Sequence, residues 1–147
     1  MANMRVAAVA LSLAAGMVLP AAAAVQVSGA WARATAPGQD EGAVYLSVTS
    51  TTADRLTAVS SPDAGMAMLH ETTQMGGMSS MQDMDGVALP PGKTVTFAPH
   101  GMHIMLMDLK HPLTAGSVIG VDLTFQKAGT VHAQVKVEKI TATGPQG

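Results

Sequence analysis

The sequence predicts an all-β domain, an antiparallel β-sandwich or barrel. Apolar and polar residues alternate with a period of two in several short runs, as in strands with one buried face. Pairs rich in Pro and Gly separate these runs, and the sequence after residue 24 lacks the 3.6-residue periodicity of an amphipathic helix. Short strands spaced by turns favour a sandwich or a barrel.

The predicted strands follow one another along most of the chain. The clearest alternation lies in 131–138, where Val, Ala, Val and Val alternate with His, Gln, Lys and Glu. The full set of predicted strands is 25–31, 43–48, 56–59, 66–70, 93–97, 102–107, 118–125 and 131–138. Turn residues fall between them, at 37–38, 61–63, 90–92, 115–116 and 128–129.

The first 24 residues have the layout of a secretory signal peptide. Arg5 precedes an apolar run of 14 residues, Val6–Leu19, and Pro20 and four alanines follow. Because roughly 18 to 20 residues are needed to span a bilayer, we favour a cleaved signal over an uncleaved membrane anchor. Lipoprotein anchoring needs a cysteine, and the sequence has none. We expect residues 1–24 to be removed, residues 25–140 to form one domain, and residues 141–147 to form a short, frayed tail.

Methionine and histidine are concentrated in one part of the chain. Nine of the 12 Met lie between Met66 and Met107, and four of the five His lie between His70 and His111. The net charge is −2 and there is no basic cluster, which argues against a nucleic-acid partner. The clustered soft donors indicate a metal site instead.

Strand geometry places several of these donors on one face of segment 102–107. Residues two apart in a strand share a face, so His103, Met105 and Met107 point one way. The opposite face carries Met102, Ile104 and Leu106, which belong in a core. We therefore expect the His/Met set to face outward or toward a sheet edge. In the same way, segment 66–70 puts Met66, Met68 and His70 on one face.

Segment 75–84 carries a Met at every third position among Gly and Ser residues, a composition unsuited to a helix. We interpret it as a mobile loop that could fold over a site. Met is a common core filler, so seven of the nine methionines, taken singly, are more simply explained as packing or loop filler. These are Met66, Met68, Met75, Met78, Met84, Met102 and Met107. His100, His111 and His132 are more simply explained as surface or turn residues.

The donor types favour copper(I) over other metals. Thioether sulfur is a soft ligand that suits Cu(I), and imidazole suits copper as well. Zinc more usually recruits Cys, His and carboxylates, while calcium and magnesium prefer oxygen ligands. A blue-copper electron carrier needs a Cys thiolate, which the sequence lacks, and no catalytic triad or carboxylate pair stands out. We therefore expect a metal-binding protein and not an enzyme.

The spacing of four donors resembles a known family. His70, Met81, His103 and Met105 form an H-x10-M-x21-H-x-M pattern that resembles the periplasmic copper chaperone family PCuAC. The segments 30–35 (AWARAT), 42–46 (GAVYL) and 69–71 (LHE) also look like that family. Relatives often have Gly-Gly before the His-x-Met unit, whereas this chain has His100 and Gly101 followed by Met102.

The resemblance implies a cupredoxin-like fold in which His70, Met81, His103 and Met105 bind one Cu(I) at an exposed site. It also implies a periplasmic monomer that delivers copper for assembly of the Cu-A centre of respiratory cytochrome oxidase. The recipient would be a protein such as oxidase subunit II or a Sco-type chaperone. The surplus Met leaves two alternatives open: a weak auxiliary copper site, and a copper storage or resistance protein that sequesters Cu(I). We expect no membrane span after signal cleavage.

Overall fold

The computed structural model describes residues 24–145, which form ten β-strands. The strands are β1 Val25–Arg33, β2 Gly42–Ser50, β3 Asp54–Ser60, β4 Ala64–Met75, β5 Met78–Asp83, β6 Val87–Leu89, β7 Thr94–Thr96, β8 Met102–Leu109, β9 Val118–Phe125 and β10 Gly129–Glu138. The predicted all-β class is confirmed. In this range no helix is long and apolar enough to span a membrane. Residues 1–23 of the predicted signal peptide lie outside the described residues.

All ten strands belong to one sheet in the order β5-β4-β8-β2-β1-β10-β9-β3-β6, with β7 paired to β2. β3 packs against β4 and β6 approaches β2, so the sheet closes on itself around one core as a cupredoxin-like β-sandwich. β1 and β10 run parallel, whereas the other described pairs are antiparallel. The predicted antiparallel arrangement holds for those pairs, and the pair of β1 and β10 makes the sheet mixed. Parallel pairing needs a long connection, and here most of the domain supplies it.

The core consists of alternate residues of the strands, as the period-two patterns predicted. In β8, Ile104 and Leu106 are completely buried, and both strands of the β9–β10 hairpin alternate in the same way. The fully enclosed positions include Val44, Val48, Leu56, Val121, Leu123, Val135 and Val137. These aliphatic side chains fix the face of each strand that remains for the site.

A bulge in β1 changes which face its second half presents. The pairing of β1 with β2 shifts between Ser28 and Trp31, and Gly29 between them has a φ of 62°. A glycine accepts this left-handed conformation without steric cost, as bulges of this kind require. Val25 and Val27 therefore pack in the main core, whereas Trp31 packs on the other face against Tyr45. Simple alternation from Val25 to Trp31 did not predict this.

The segment 75–84 contains a tight hairpin turn and the strand β5, and is not the mobile loop that its composition suggested. β4 and β5 form an antiparallel hairpin in which Met75 pairs with Met78 across the turn. The turn residues Gly76 and Gly77 have φ values of 61° and 80°. Two consecutive positive φ angles are what a tight two-residue hairpin turn needs, and Gly-Gly supplies them. The glycines therefore specify a hairpin rather than flexibility.

The C-terminal tail also departs from its prediction. Ala142 is buried against Trp31 and Tyr45 rather than frayed. Arg33 donates from Nε to the carbonyl oxygen of Ala142 at 2.6 Å, and the amide of Ala142 donates to Lys139. The segment after β10 is thus attached to the outer face of β1 and β2.

Candidate metal centre

The centre is built on the pairing of β4 with β8. His70 lies directly opposite His103, and Met68 lies opposite Met105. Opposite residues of an antiparallel pair have their side chains on the same face, so the two imidazoles are neighbours. Their ring centroids are 5.7 Å apart and their planes are nearly perpendicular, at 79°. The structure thus brings together three of the four predicted ligands on two adjacent strands.

The fourth, Met81, comes from the edge strand β5. It pairs with Thr72, which follows His70 by two residues and so shares its face of the sheet. Met81 is 59% exposed, whereas Met105 is half-buried. Met81 is therefore the most accessible of the four donors. Its position depends on the hairpin, because β5 pairs only with β4.

The two histidines are less exposed than predicted. The relative exposure is only 8% for His70 and 5% for His103, so the expectation of an outward, open set is wrong for the imidazoles. The loop between β7 and β8 borders this region, because Pro99 and His100 line the same cavity as His103. Sequence periodicity identified the face correctly, but it contains no information on what covers that face.

A backbone contact fixes the tautomer of His103. Its Nδ1–H donates to the carbonyl oxygen of Gly101 at 3.2 Å, since a carbonyl can only accept. Nε2 is left as the lone-pair nitrogen, and it is buried without a hydrogen-bond partner. Burial lowers the pKa of His103, the contact with Gly101 opposes this shift, and the nearby His70 adds to it. Burial therefore favours the neutral ring, in which Nε2 is free to bind a metal.

His70 is also left with ring nitrogens that lack hydrogen bonds. Both Nδ1 and Nε2 are buried without a partner of correct geometry. Nε2 lies 2.8 Å from Oδ1 of Asp83, yet the angle is not that of a hydrogen bond. Buried polar atoms are nearly always paired, and an unpaired one costs roughly 1 to 3 kcal/mol. Nε2 of His103 and Nδ1 of His70, which have no partner at all, indicate a site that a ligand completes.

A cavity of about 250 Å³ opens beside these donors. Met81, His103 and Met105 line it, together with His100 and Tyr45. Within residues 24–145, no three His, Asp or Glu side chains gather closely enough to hold a metal by themselves. The available donor set is therefore two imidazoles and two thioethers, which fits a soft ion such as Cu(I) and not a hard one.

Comparison with known proteins identifies the family. Residues 25–137 match the family described as "Putative lipoprotein LpqE-like". The chain belongs to the LpqE-like family. A relative from Leifsonia xyli subsp. xyli, Lxx21020, is 37% identical over 115 residues, which cover 78% of this chain and 69% of the relative. The Rickettsia prowazekii protein RP573 is 33% identical over 125 residues, covering 81% and 69%.

Solved structures resemble this LpqE-like protein over most of its length. One is described as "apo PmoF2 PCuAC domain", with a TM-score of 0.69, 28% identity, and coverage of 82% of this chain and 94% of that one. Another is described as the solution structure of CuI-DR1885 from Deinococcus radiodurans, with a TM-score of 0.64, 31% identity and coverage of 87% and 85%. The resemblance to PCuAC proteins is thereby confirmed.

Sequence reasoning missed an aromatic and cationic group at the rim of the centre in this LpqE-like protein. Trp31 and Tyr45 have ring centroids 4.8 Å apart, and the guanidinium of Arg33 lies 5.9 Å from the Trp31 ring. Arg33 and Tyr45 line the same cavity as His103. Burial raises the pKa of the Tyr45 hydroxyl, although the positive charge of Arg33 opposes this effect. The group was hidden because the Gly29 bulge reverses the face of Trp31.

Proposed function

We propose that this protein binds one Cu(I) through His70, Met81, His103 and Met105 and passes it on as an exported metallochaperone. The observation that carries the proposal is the pair of facing, buried imidazoles, in which Nε2 of His103 and Nδ1 of His70 have no protein partner. Two relatives in structure support it, since they are described as a copper-bound PCuAC domain and as CuI-DR1885.

The arrangement of the donors suits transfer of the ion. His103 is buried and lines the cavity, with His70 buried beside it, whereas Met81 is exposed on an edge strand. A recipient could replace the outermost thioether first, while the two nitrogens still hold the ion. Thioethers and neutral imidazoles need not lose a proton from their donor atoms before they bind the ion. Unlike thiolates, they do not form disulfides outside the cytoplasm.

The proposed location is the periplasm, reached by cleavage of residues 1–24. Two observations support export: the signal-like sequence and the lipoprotein description of the family. The proposed recipient is a protein in the assembly of the Cu-A centre, such as oxidase subunit II or a Sco-type chaperone. We propose that the protein has no enzymatic activity. We also propose a monomeric state, because strands of one chain supply all four proposed ligands.

The binding step is tested by anaerobic Cu(I) titration against a chromophoric competitor. We expect His103→Ala or Met105→Leu to weaken Cu(I) binding by at least tenfold while the circular dichroism spectrum stays that of the parent. Met78→Leu is the matched control, because Met78 is 77% exposed but lies on the opposite face of β5 from Met81. Equal affinity in the parent and both site variants would refute the ligand assignment.

The transfer step separates delivery from storage. The loaded protein is mixed with the soluble Cu-A domain of oxidase subunit II, and the copper content of each is measured after separation. Delivery predicts movement of most of the Cu(I) to the acceptor. Storage, the second candidate, predicts retention and more than one ion per chain, and the additional Met66, Met68 and Met107 on the same face favour testing it.

A further inference from the structure

A ladder of methionines continues from the histidine pair along β4 and β8. Met68 lies opposite Met105, and Met66 lies opposite Met107. Together with the histidine pair they make three successive rows on one face, because opposite residues share a face and so do residues two apart. Side chains that are directly opposite have Cβ atoms about 5 Å apart, and successive rows are about 7 Å apart. Long, unbranched Met side chains can bridge such distances.

These four methionines do not serve the main core. The partly buried side chains packed against it include Met84 and Met102, but none of the four in the ladder. Met66 is 52% exposed, and Met68, Met105 and Met107 are half-buried. Beneath them, the intervening residues Ile104, Leu106 and Leu69 form the buried face of the same strands. Packing therefore explains Met84 and Met102 but leaves the ladder without a structural role.

We propose that Met66, Met68 and Met107 form a second soft-metal site beside the histidine centre, with Met105 shared between the two. This inference rests on the proposed function, because it takes Cu(I) as the ion and Met105 as a ligand of the first site. An all-thioether site carries no charge and lacks the harder donors that Cu(II) and zinc prefer, so it would select a soft monovalent cation. It would bind more weakly than a site that also has two imidazoles.

The shared residue gives the second site a role in loading and release. An ion held by Met66, Met68 and Met107 already lies next to Met105, which also reaches the cavity lined by His103. The ion could move to the imidazoles by exchanging one thioether at a time, without a step in which it is free. The direction of transfer then depends only on which end of the ladder a partner occupies.

The test uses Ag(I), a redox-inactive soft monovalent ion, with protein labelled with ¹³C at the methionine methyl groups. We expect two Ag(I) per chain in the parent and shifts of the Met66, Met68 and Met107 methyl resonances at the second equivalent. The double variant Met66→Leu/Met107→Leu should bind one, because Leu keeps the volume but removes the sulfur. Met78→Leu, on the other face of the hairpin, should still bind two.

A second double variant, His70→Ala/His103→Ala, distinguishes this inference from the proposed function. We expect it to lose the tighter ion and to keep one Ag(I) with shifted Met66 and Met107 methyl groups. If it keeps both ions, the histidine centre is wrongly assigned while the ladder stands. The ladder is refuted if Met66→Leu/Met107→Leu still binds two ions, or if Met78→Leu loses binding to the same extent.

Discussion

Asp54 should contribute a large share of the stability of the domain without touching the metal centre. Its carboxylate is buried and accepts backbone N–H groups from Arg55 at 2.7 Å, Lys127 at 2.9 Å and Ala128 at 3.0 Å. It thereby joins the start of β3 to the turn between β9 and β10. Hydrogen bonds to a charged group contribute roughly 1.5 to 3 kcal/mol each, so three give an upper limit of about 5 to 9 kcal/mol.

The expected loss is smaller because water can reach part of the turn. Arg55 and Lys127 are exposed, so their amides can be partly rehydrated once the carboxylate is removed. We therefore expect Asp54→Ala to lower the free energy of unfolding by about 2 to 4 kcal/mol, and Asp54→Asn by about half of that. Urea denaturation followed by the fluorescence of Trp31, the single tryptophan, measures both.

The pH dependence gives this prediction a second readout. Burial alone would raise the pKa of Asp54, but the three N–H groups and the charge of Lys127 outweigh it and lower the pKa from its ordinary 3.8. A lowered pKa stabilises the fold above the unfolded value, and that contribution is lost as the pH falls through the folded value. The difference between the parent and Asp54→Ala should thus shrink in acid.

Asp85 provides the control, because it is an exposed aspartate for which the described part of the chain offers no side-chain hydrogen bond. Asp85→Ala should change the stability by less than about 0.5 kcal/mol. The reasoning would be refuted if Asp54→Ala also lost less than about 0.5 kcal/mol of unfolding free energy. It would also be refuted if the difference in stability between the parent and Asp54→Ala grew as the pH fell. Cu(I) affinity of the folded Asp54→Ala variant should equal that of the parent.

Three further predictions concern other parts of the fold. Gly86→Ala should destabilise the protein by about 1 to 3 kcal/mol in urea denaturation, because an added Cβ would lie 2.7 Å from the carbonyl oxygen of Leu56; an unchanged midpoint contradicts this. Gly77 has a φ of 80°, and a residue with a Cβ in this left-handed conformation costs about 1 to 2 kcal/mol. Gly77→Val should therefore speed amide hydrogen exchange in β5 and weaken Cu(I) binding. Amides of β5 as well protected from exchange as in the parent would refute this prediction. The hydrogen bond that His111 donates to Asp63 raises the pKa of His111 above 6.5, with a smaller effect of the adjacent backbone carbonyl. A raised pKa stabilises the fold below the unfolded value, so the advantage of the parent over His111→Gln should be fully present below about pH 5.5 and be lost as the pH rises through the folded pKa; an advantage that increases with pH would be the wrong sign.

Periodicity predicted the parts of the site that depend on a single strand. His103 and Met105 lie on one face of β8 with Ile104 and Leu106 buried on the other, as alternation required. It could not predict that His70 lies opposite His103, because the register between two strands distant in sequence depends on how the whole core packs. The spacing of the four donors identified them only through the resemblance to a family.

The errors have physical causes that are visible in particular residues. Gly76 and Gly77 appeared to be a source of flexibility, whereas their positive φ angles close a tight turn and make 78–83 a strand. The Met residues at every third position then point in different directions. Met81 shares the face of the histidines, and Met84 packs against the core. A repeat in the sequence was therefore not a repeat in space.

The parallel pairing of β1 and β10 determines where an affinity tag on either side of the domain would lie relative to the metal centre. Residue 25 begins β1, and Arg33 at the other end of that strand, about 25 Å away, lines the cavity of the candidate metal centre. Glu138, at the end of β10, lies next to Arg33 in the register of the two strands, and Ala142 packs beside Tyr45 at the cavity rim. An affinity tag with histidines attached directly after Ala142 would start beside the metal centre and compete for its ion. The same tag placed before residue 25 would sit at the far end, leaving the centre open to a partner.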